Sequence, residues 1–235
     1  RPLVYYFPGT SIPCLLQQYG DSIQSLMQEL GIESVRLYSP TGPEMLEAFG
    51  VEAVERFYLG LLAIELLMKS ACQIRPYELQ AGETEALHRG NLLRIEAAVA
   101  GGDILQALDA SLARLAAVEV EAGARRPLVG IAGDIYTRVS QTANNDLHRW
   151  LEAQGLEVWP APFGIDLLDF SISRRFLRSM SKRGLPDLLA NGAIALKRTL
   201  DAWRVRWVVG QRVTRPEEPG YLELLRLAGP YMPNV

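Results

Sequence analysis

One order of elements occurs twice in this chain and restricts its fold more than any other feature: an apolar strand, a loop, a helix closed by glycine, and a second strand. The first run starts with the β-favouring Leu3-Val-Tyr-Tyr-Phe7, stopped by Pro8-Gly9. Leu15, Leu16, Tyr19, Ile23, Leu26, Met27 and Leu30 then keep helical spacing, and Gly31 suits a C-terminal stop. Val35-Arg-Leu-Tyr38 predicts a strand that ends at Ser39-Pro40. In the second run the strand is Leu128 to Ile131, followed by a polar loop to Asn145 and a helix from Asp146 to Gln154. Gly155 follows, and Leu156-Glu-Val-Trp159 predicts the second strand before Pro160. The runs can be laid over each other, Leu3-Val-Tyr-Tyr-Phe-Pro-Gly on Leu128-Val-Gly-Ile-Ala-Gly-Asp and Gln28-Glu-Leu-Gly-Ile-Glu on Glu152-Ala-Gln-Gly-Leu-Glu. Matches this short leave duplication and coincidence both open.

Strands joined through a helix pair in parallel, so the expected fold is α/β, with two Rossmann-like parallel β-α-β units separated by a helical insert. The insert runs from about Gly42 to Ala122. Val54, Phe57, Tyr58, Leu61, Leu62 and Leu66 mark an apolar helix from Glu52 to Ser70, broken at Arg75-Pro76-Tyr77. Further helices are expected near Glu83 to Ala100 and Asp103 to Val118, with Asp103 as an N-cap. Glu121 to Pro127 is the best linker candidate, giving a first domain over 1–122 and a second over 123–235. Helices are expected at about Gly164 to Lys182 and Pro186 to Trp207, then a loop at Thr214 to Gly220 and a last short helix. The start at Arg1 and the end at Gly229 to Val235 read as those of a fragment.

Of the residues, 49% are hydrophobic and 22% charged, the balance of a soluble globular chain. The run Tyr58 to Met68 carries Glu65 and is too short for a membrane span, so a buried helix is expected. Neither a secretory signal nor a disulfide framework is legible, since Cys14 and Cys72 are the only cysteines, and a reducing cytoplasm is expected. Charge is uneven: eleven Lys and Arg lie between Arg174 and Arg215 against Asp187 and Asp201 alone. That segment suits an anionic partner, such as a phosphate-bearing ligand, an acidic subunit or nucleic acid, or else forms a solvated helix face.

Open α/β sheets hold ligands beyond the carboxyl ends of their strands, and that place is filled here by Gly133, Asp134, Tyr136, Thr137, Arg138, Asn144 and Asn145. These residues offer a cation, hydroxyls and amides for an anionic or carbonyl group. Capping of the next helix by Asn144 or Asn145 is the alternative. Gly130-Ile-Ala-Gly133 is not G-x-G-x-x-G, and no acidic residue follows at the ribose position, which disfavours a dinucleotide site. Cys14 opens the first predicted helix, where a thiol pKa falls; as a single cysteine it completes no zinc or iron-sulfur site, and small-residue packing is the alternative. Cys72 is expected in the core, and His88 and His148, without triad or metal spacing, at the surface. No P-loop, kinase signature or H-E-x-x-H is present, so the chain is not expected to be an ATPase by itself.

The chain resembles the 2-hydroxyacyl-CoA dehydratase and benzoyl-CoA reductase subunits, including proteins labelled acyl-CoA dehydratase activase-related. The likeness rests on Pro127-Leu-Val-Gly-Ile-Ala-Gly-Asp-Ile-Tyr-Thr-Arg, Ala143-Asn-Asn-Asp-Leu and Leu151-Glu-Ala-Gln-Gly-Leu-Glu-Val. It extends to Pro8-Gly-Thr-Ser-Ile-Pro-Cys-Leu-Leu-Gln-Gln-Tyr19, similar to the family's Gly-Pro-Cys-Arg-x-Gly-Gln-Tyr, and to Ile74-Arg-Pro-Tyr-Glu78. It implies Rossmann-like domains whose strand-end cysteines hold a 4Fe-4S cluster in the cleft where a CoA thioester binds, with a separate ATP-hydrolysing activator supplying an electron. Cys14 would match one cluster ligand. The others would lie upstream of Arg1, and Ser11 stands where some relatives carry cysteine.

The resulting expectation is a component of a dehydratase-like system, binding a cluster, a CoA thioester or both in a cleft between the two units, with a sister subunit and an activator as partners. Whether it is a lyase or reductase component stays open. The alternative is a binding or assembly module that kept the fold without the cluster. A phosphosugar- or nucleotide-binding domain ranks third, for want of a phosphate loop. Neither a membrane nor nucleic acid is an expected partner.

Overall fold

A computed structural model describes residues 3–7, 9, 16–123, 125–161, 185–210, 226–227 and 229–230. The chain is mixed α/β, mostly helical, and carries two short parallel two-stranded sheets. It divides into two compact units, Arg1–Phe57 and Tyr58–Val235.

In the first unit β1 (Leu3–Tyr6) runs parallel to β2 (Val35–Tyr38), in register from Leu3 opposite Val35 to Tyr6 opposite Tyr38. Between them lies α1 (Leu16–Glu29). Its end is a Schellman turn: Ile32 N–H donates to Met27 O at 2.9 Å and Gly31 N–H to Gln28 O at 3.1 Å, with Gly31 left-handed at φ 63°. The glycine stop read from sequence therefore has a geometric reason. Aromatic contacts hold this unit together, Tyr6 with Tyr38 at 6.3 Å, Phe7 with Tyr19 at 6.2 Å and Tyr38 with Phe49 at 6.4 Å.

The helix α2 (Gly42–Ile74) starts in a capping arrangement, Glu44 Oε2 accepting from Thr41 N–H at 2.7 Å and Thr41 Oγ1 at 2.8 Å. Gly50 interrupts it at φ 79°, ψ 168°. The run Tyr58 to Met68 forms a largely buried helix as expected, and helix formation continues well beyond that run. Glu44–Tyr77 contains an 18-residue window with a mean hydropathy of 1.4, long and apolar enough by length and composition alone to cross a membrane. Its apolarity has a place in the protein, however: 56% of the window is buried, with Tyr58, Leu62, Ala63, Leu67 and Ala71 in the core.

The second unit is built on that core. After a 3₁₀ turn (Arg75–Tyr77) come α3 (Glu83–Gly101) and α4 (Ile104–Ala116), the latter capped by Asp103, which accepts from Gln106 N–H at 3.0 Å. Ile95, Leu108, Leu112 and Leu115 pack with α2, and Val205 and Val208 of α7 (Leu185–Gly210) close the cluster. From Tyr58 onward the insert thus belongs to one compact unit with the second β-α-β run, whereas the sequence places a boundary at the 122/123 linker. The helices of the insert cannot bury their apolar stripes alone and share one core with α7.

In the same unit β3 (Leu128–Ile131) and β4 (Glu157–Pro160) pair in parallel, from Leu128 opposite Glu157 to Ile131 opposite Pro160. Between them are α5 (Ile135–Val139), not foreseen in the polar loop, and α6 (Leu147–Ala153). The expected helix at Gly164 to Lys182 and the loop at Thr214 to Gly220 lie outside the described residues.

Candidate functional site

The segment after β3 is a hydrogen-bonded frame with a few groups left facing outward. Gly133, at φ 133°, turns the chain into Asp134, which caps α5 by accepting from Thr137 N–H at 3.1 Å and Thr137 Oγ1 at 3.4 Å. Arg138 is buried, and its Nη1 donates to the Ala161 carbonyl at 2.8 Å, tying α5 to the residue after β4. Asn144 Nδ2 donates to the carbonyls of Thr137 and Arg138 at 3.0 and 3.2 Å. Its Oδ1 accepts from Leu147 N–H at 3.2 Å and so caps α6. Asp134, Arg138 and Asn144 thereby build the loop's shape.

Tyr136 and Asn145 point outward, Tyr136 at 68% exposure. Asn145 and Asp146 are successive left-handed residues at φ 52° and 55°. Backbone of this kind costs energy in non-glycine residues and clusters at binding sites. Of the residues selected from sequence, Gly133, Asp134, Tyr136, Thr137, Arg138, Asn144 and Asn145 are thus on one loop frame, while Cys14 lies outside the described residues.

Behind the loop stands an ionic network that sequence reading did not find. Arg75 grips Glu152 of α6 in a bidentate pair, Nε to Oε2 at 2.6 Å and Nη2 to Oε1 at 2.7 Å, with both side chains under 10% exposed. Glu85 of α3 receives Arg149 of α6, Arg89 at 3.1 Å and Arg75 at 3.8 Å. Burial works against the Glu85 charge, but these cations prevail and hold its carboxyl below the ordinary value. His148 stands on the same helix, α6, between Leu147, whose N–H is held by Asn144 of the loop, and Arg149 of the network.

The two histidines are not at the surface as expected but half-buried against this network, with His88 Nδ1 and His148 Nε2 buried and without a hydrogen-bond partner among the described residues. Burial depresses both imidazoles, against the opposing pull of Glu85 on His88 and of Glu152 on His148. The partners Arg75 and Glu152 are 77 residues apart, a separation at which no periodic pattern signals a contact. Only Glu85 with Arg89, at helical i,i+4 spacing, was legible in advance.

Cys72 is buried as expected, 3.6 Å from Arg75 Nη2, and burial pushes its thiol up to about 11. A thiol held protonated this way does not fit an iron-sulfur ligand. Among the described residues no group of three or more His, Cys, Asp or Glu side chains is placed to hold a metal ion.

A cavity of about 360 Å³ opens at the other end of the sheet, where β4 begins. Ile74, Leu112, Leu115 and Val118 form its apolar wall, and Tyr77 and Glu157 its polar end, joined by a hydrogen bond from Tyr77 Oη to Glu157 Oε2 at 2.8 Å. None of the residues selected from sequence lines it. Compared with known proteins, the chain matches no family model, no curated protein and no solved structure.

Proposed function

We propose that this chain is a component of a 2-hydroxyacyl-CoA dehydratase-like system and binds a CoA thioester at the loop that follows β3. The observation that carries the reading is the built frame at the carboxyl end of a parallel strand pair, with Tyr136 and the left-handed Asn145 facing out. The resemblance of 127–138, 143–147 and 151–158 to that family supports the thioester as ligand. The two parallel pairs are read as two Rossmann-like units, and the chain as cytoplasmic. In this reading Tyr136 packs on the ligand, the Asn145 amide and the backbone at Gly133 bind its polar groups, and Arg138 acts as a positioning residue through Ala161 O.

The 4Fe-4S cluster belongs to this proposal through Cys14 as one ligand, with the rest supplied from outside the chain. Such a cluster would relay an electron from an ATP-dependent activator; the described residues do not fit it. The second reading, a binding or assembly module without the cluster, is favoured by one observation: Arg138 and Asn144 are engaged in internal hydrogen bonds.

Calorimetry with butyryl-CoA tests the thioester site. Binding weakened about tenfold or more by Tyr136→Ala and Asn145→Ala is expected, and no binding by the unaltered chain overturns the reading. Anaerobic purification with iron and sulfide analysis separates the two versions. Iron lost in Cys14→Ala supports the cluster, and iron absent from the whole protein leaves the binding module.

A further inference from the structure

The cavity where β4 begins is framed by a single stripe and a laced strap. Ser70, Gln73, Ile74 and Tyr77 follow at spacings of three, one and three residues, so the end of α2 and the turn after it present one face to the cavity. Leu112, Leu115 and Val118, all almost fully buried, complete the apolar wall. The segment after α4 is tied to the turn, Glu121 N–H donating to Tyr77 O at 2.8 Å and Leu79 N–H to Glu119 O at 2.9 Å. Backbone hydrogen bonds therefore hold the space open in advance. Its volume of about 360 Å³ falls at the low end of ligand pockets, which run from about 300 to 1,000 Å³, and so suits a small ligand.

The polar groups of the stripe identify the chemistry. Ser70 is only 6% exposed, and neither its hydroxyl nor the Gln73 amide has a hydrogen-bond partner among the described residues. A hydroxyl buried to this degree is ordinarily satisfied. Ordered water suits the space poorly, because a buried water needs about two to four polar partners and Ile74, Leu112, Leu115 and Val118 offer none. Ser70 and Gln73 can each donate and accept, and a hydroxyl group answers both capacities; an ammonium only donates and a carboxylate only accepts. The exposed Glu121 and Arg125 bring opposite charges to the lining, which gives neither an anion nor a cation the advantage. Glu157, fully buried and held by Tyr77 Oη at 2.8 Å, closes the polar end as part of the wall.

We infer that this cavity binds a small neutral molecule with an apolar body of about six to ten carbons and a hydroxyl head, the body against the leucine wall and the head exchanging hydrogen bonds with Ser70 and Gln73. The inference is independent of the CoA reading, since no residue of the β3 loop lines the cavity.

The test uses the full chain with octanol, octanoate and octylamine, which set a neutral, an anionic and a cationic head on one tail, each below its micellar concentration. Calorimetry, with saturation-transfer NMR on the tail protons, should show octanol bound at least tenfold tighter than either charged probe. Ser70→Ala should weaken octanol about fivefold, the worth of one hydrogen bond. Ala116→Phe, at an exposed position of the lining at the end of α4, should fill the cavity and abolish binding, with thermal melting showing that the fold persists. No binding of octanol by the unaltered chain, equal or tighter binding of octanoate or octylamine, or binding undiminished in both Ser70→Ala and Ala116→Phe would overturn the inference.

Discussion

The two β-α-β runs obey the same local code and end in different circumstances. In the first unit β1 is exposed along its whole length and β2 is only half-buried. In the second, Glu157, Val158 and Pro160 of β4 are buried, and the strand is fastened by Tyr77. Isolated two-stranded sheets are marginal in water, so a pair gains persistence from what covers it. The first pair is held by aromatic contacts among Tyr6, Phe7, Tyr19, Tyr38 and Phe49, whereas the second is clasped to a helical core by the Arg75–Glu152 pair. The local plan makes a strand pair; long-range partners decide how firmly a loop at its end can be held.

The largest test of that difference is Glu152→Ala. It leaves Arg75 buried beside a missing partner, and the expected loss is about 3–5 kcal/mol, the range for breaking a buried ion pair from one side. Urea denaturation, with hydrogen exchange resolved by element, should show α6 and the β3 loop opening while α1 keeps its protection. Equal loss of protection in α1, or a change below about 1 kcal/mol, would show that the clasp does not distinguish the two units.

Local caps should matter alike in both. Asp134→Ala removes the acceptor at the start of α5 and is expected to cost about 1 kcal/mol. Gly31→Ala forces a Cβ into left-handed backbone at the end of α1, also at a cost of about 1 kcal/mol. Thermal melts of the pair would sharpen the comparison, because a large difference between them would mean that the caps too depend on distant contacts. Smaller still is Leu26→Ala: the side chain is exposed in α1, and under about 0.5 kcal/mol is expected by the same melts.

What was legible in the sequence follows the same division. Strands at 3–6, 35–38 and 128–131, the Gly31 stop and the Asp103 cap are encoded within a few residues, by β-branched and aromatic runs and by capping chemistry. So was the carboxyl end of β3 as a structured loop, although α5 within it was missed because Asp134 reads equally as a turn or a cap. The clasp was not legible: Arg75, Glu85, His148, Arg149 and Glu152 meet only when the fold brings two helices, α3 and α6, and a 3₁₀ turn together. For the same reason Arg138 read as a ligand-binding cation, since its carbonyl partner, Ala161, is set by the β3–β4 register.

Acidification gives the finest separation of the two regions, with the smallest expected effect. His88 and His148 are the only histidines and both lie in the second unit, their pKa values depressed below the ordinary 6.5 by burial. The folded chain therefore binds these protons less tightly than the unfolded chain. Their neutral forms are compatible with full stability above about pH 6.5, and stability declines as pH falls below that value towards the folded pKa. Protonation would add positive charge beside Arg75 and Arg149, so α6 should loosen from α3 first. Glu85, with its carboxyl held below 4.5, contributes in a lower window, where stability falls as that group protonates. Hydrogen exchange between pH 7 and 5, corrected for intrinsic rates, should show α6 losing protection relative to α1, and His88→Gln with His148→Gln should flatten that slope. If α6 instead gained protection on acidification, or α1 opened in parallel with it, the histidines would have no part in the difference between the two units.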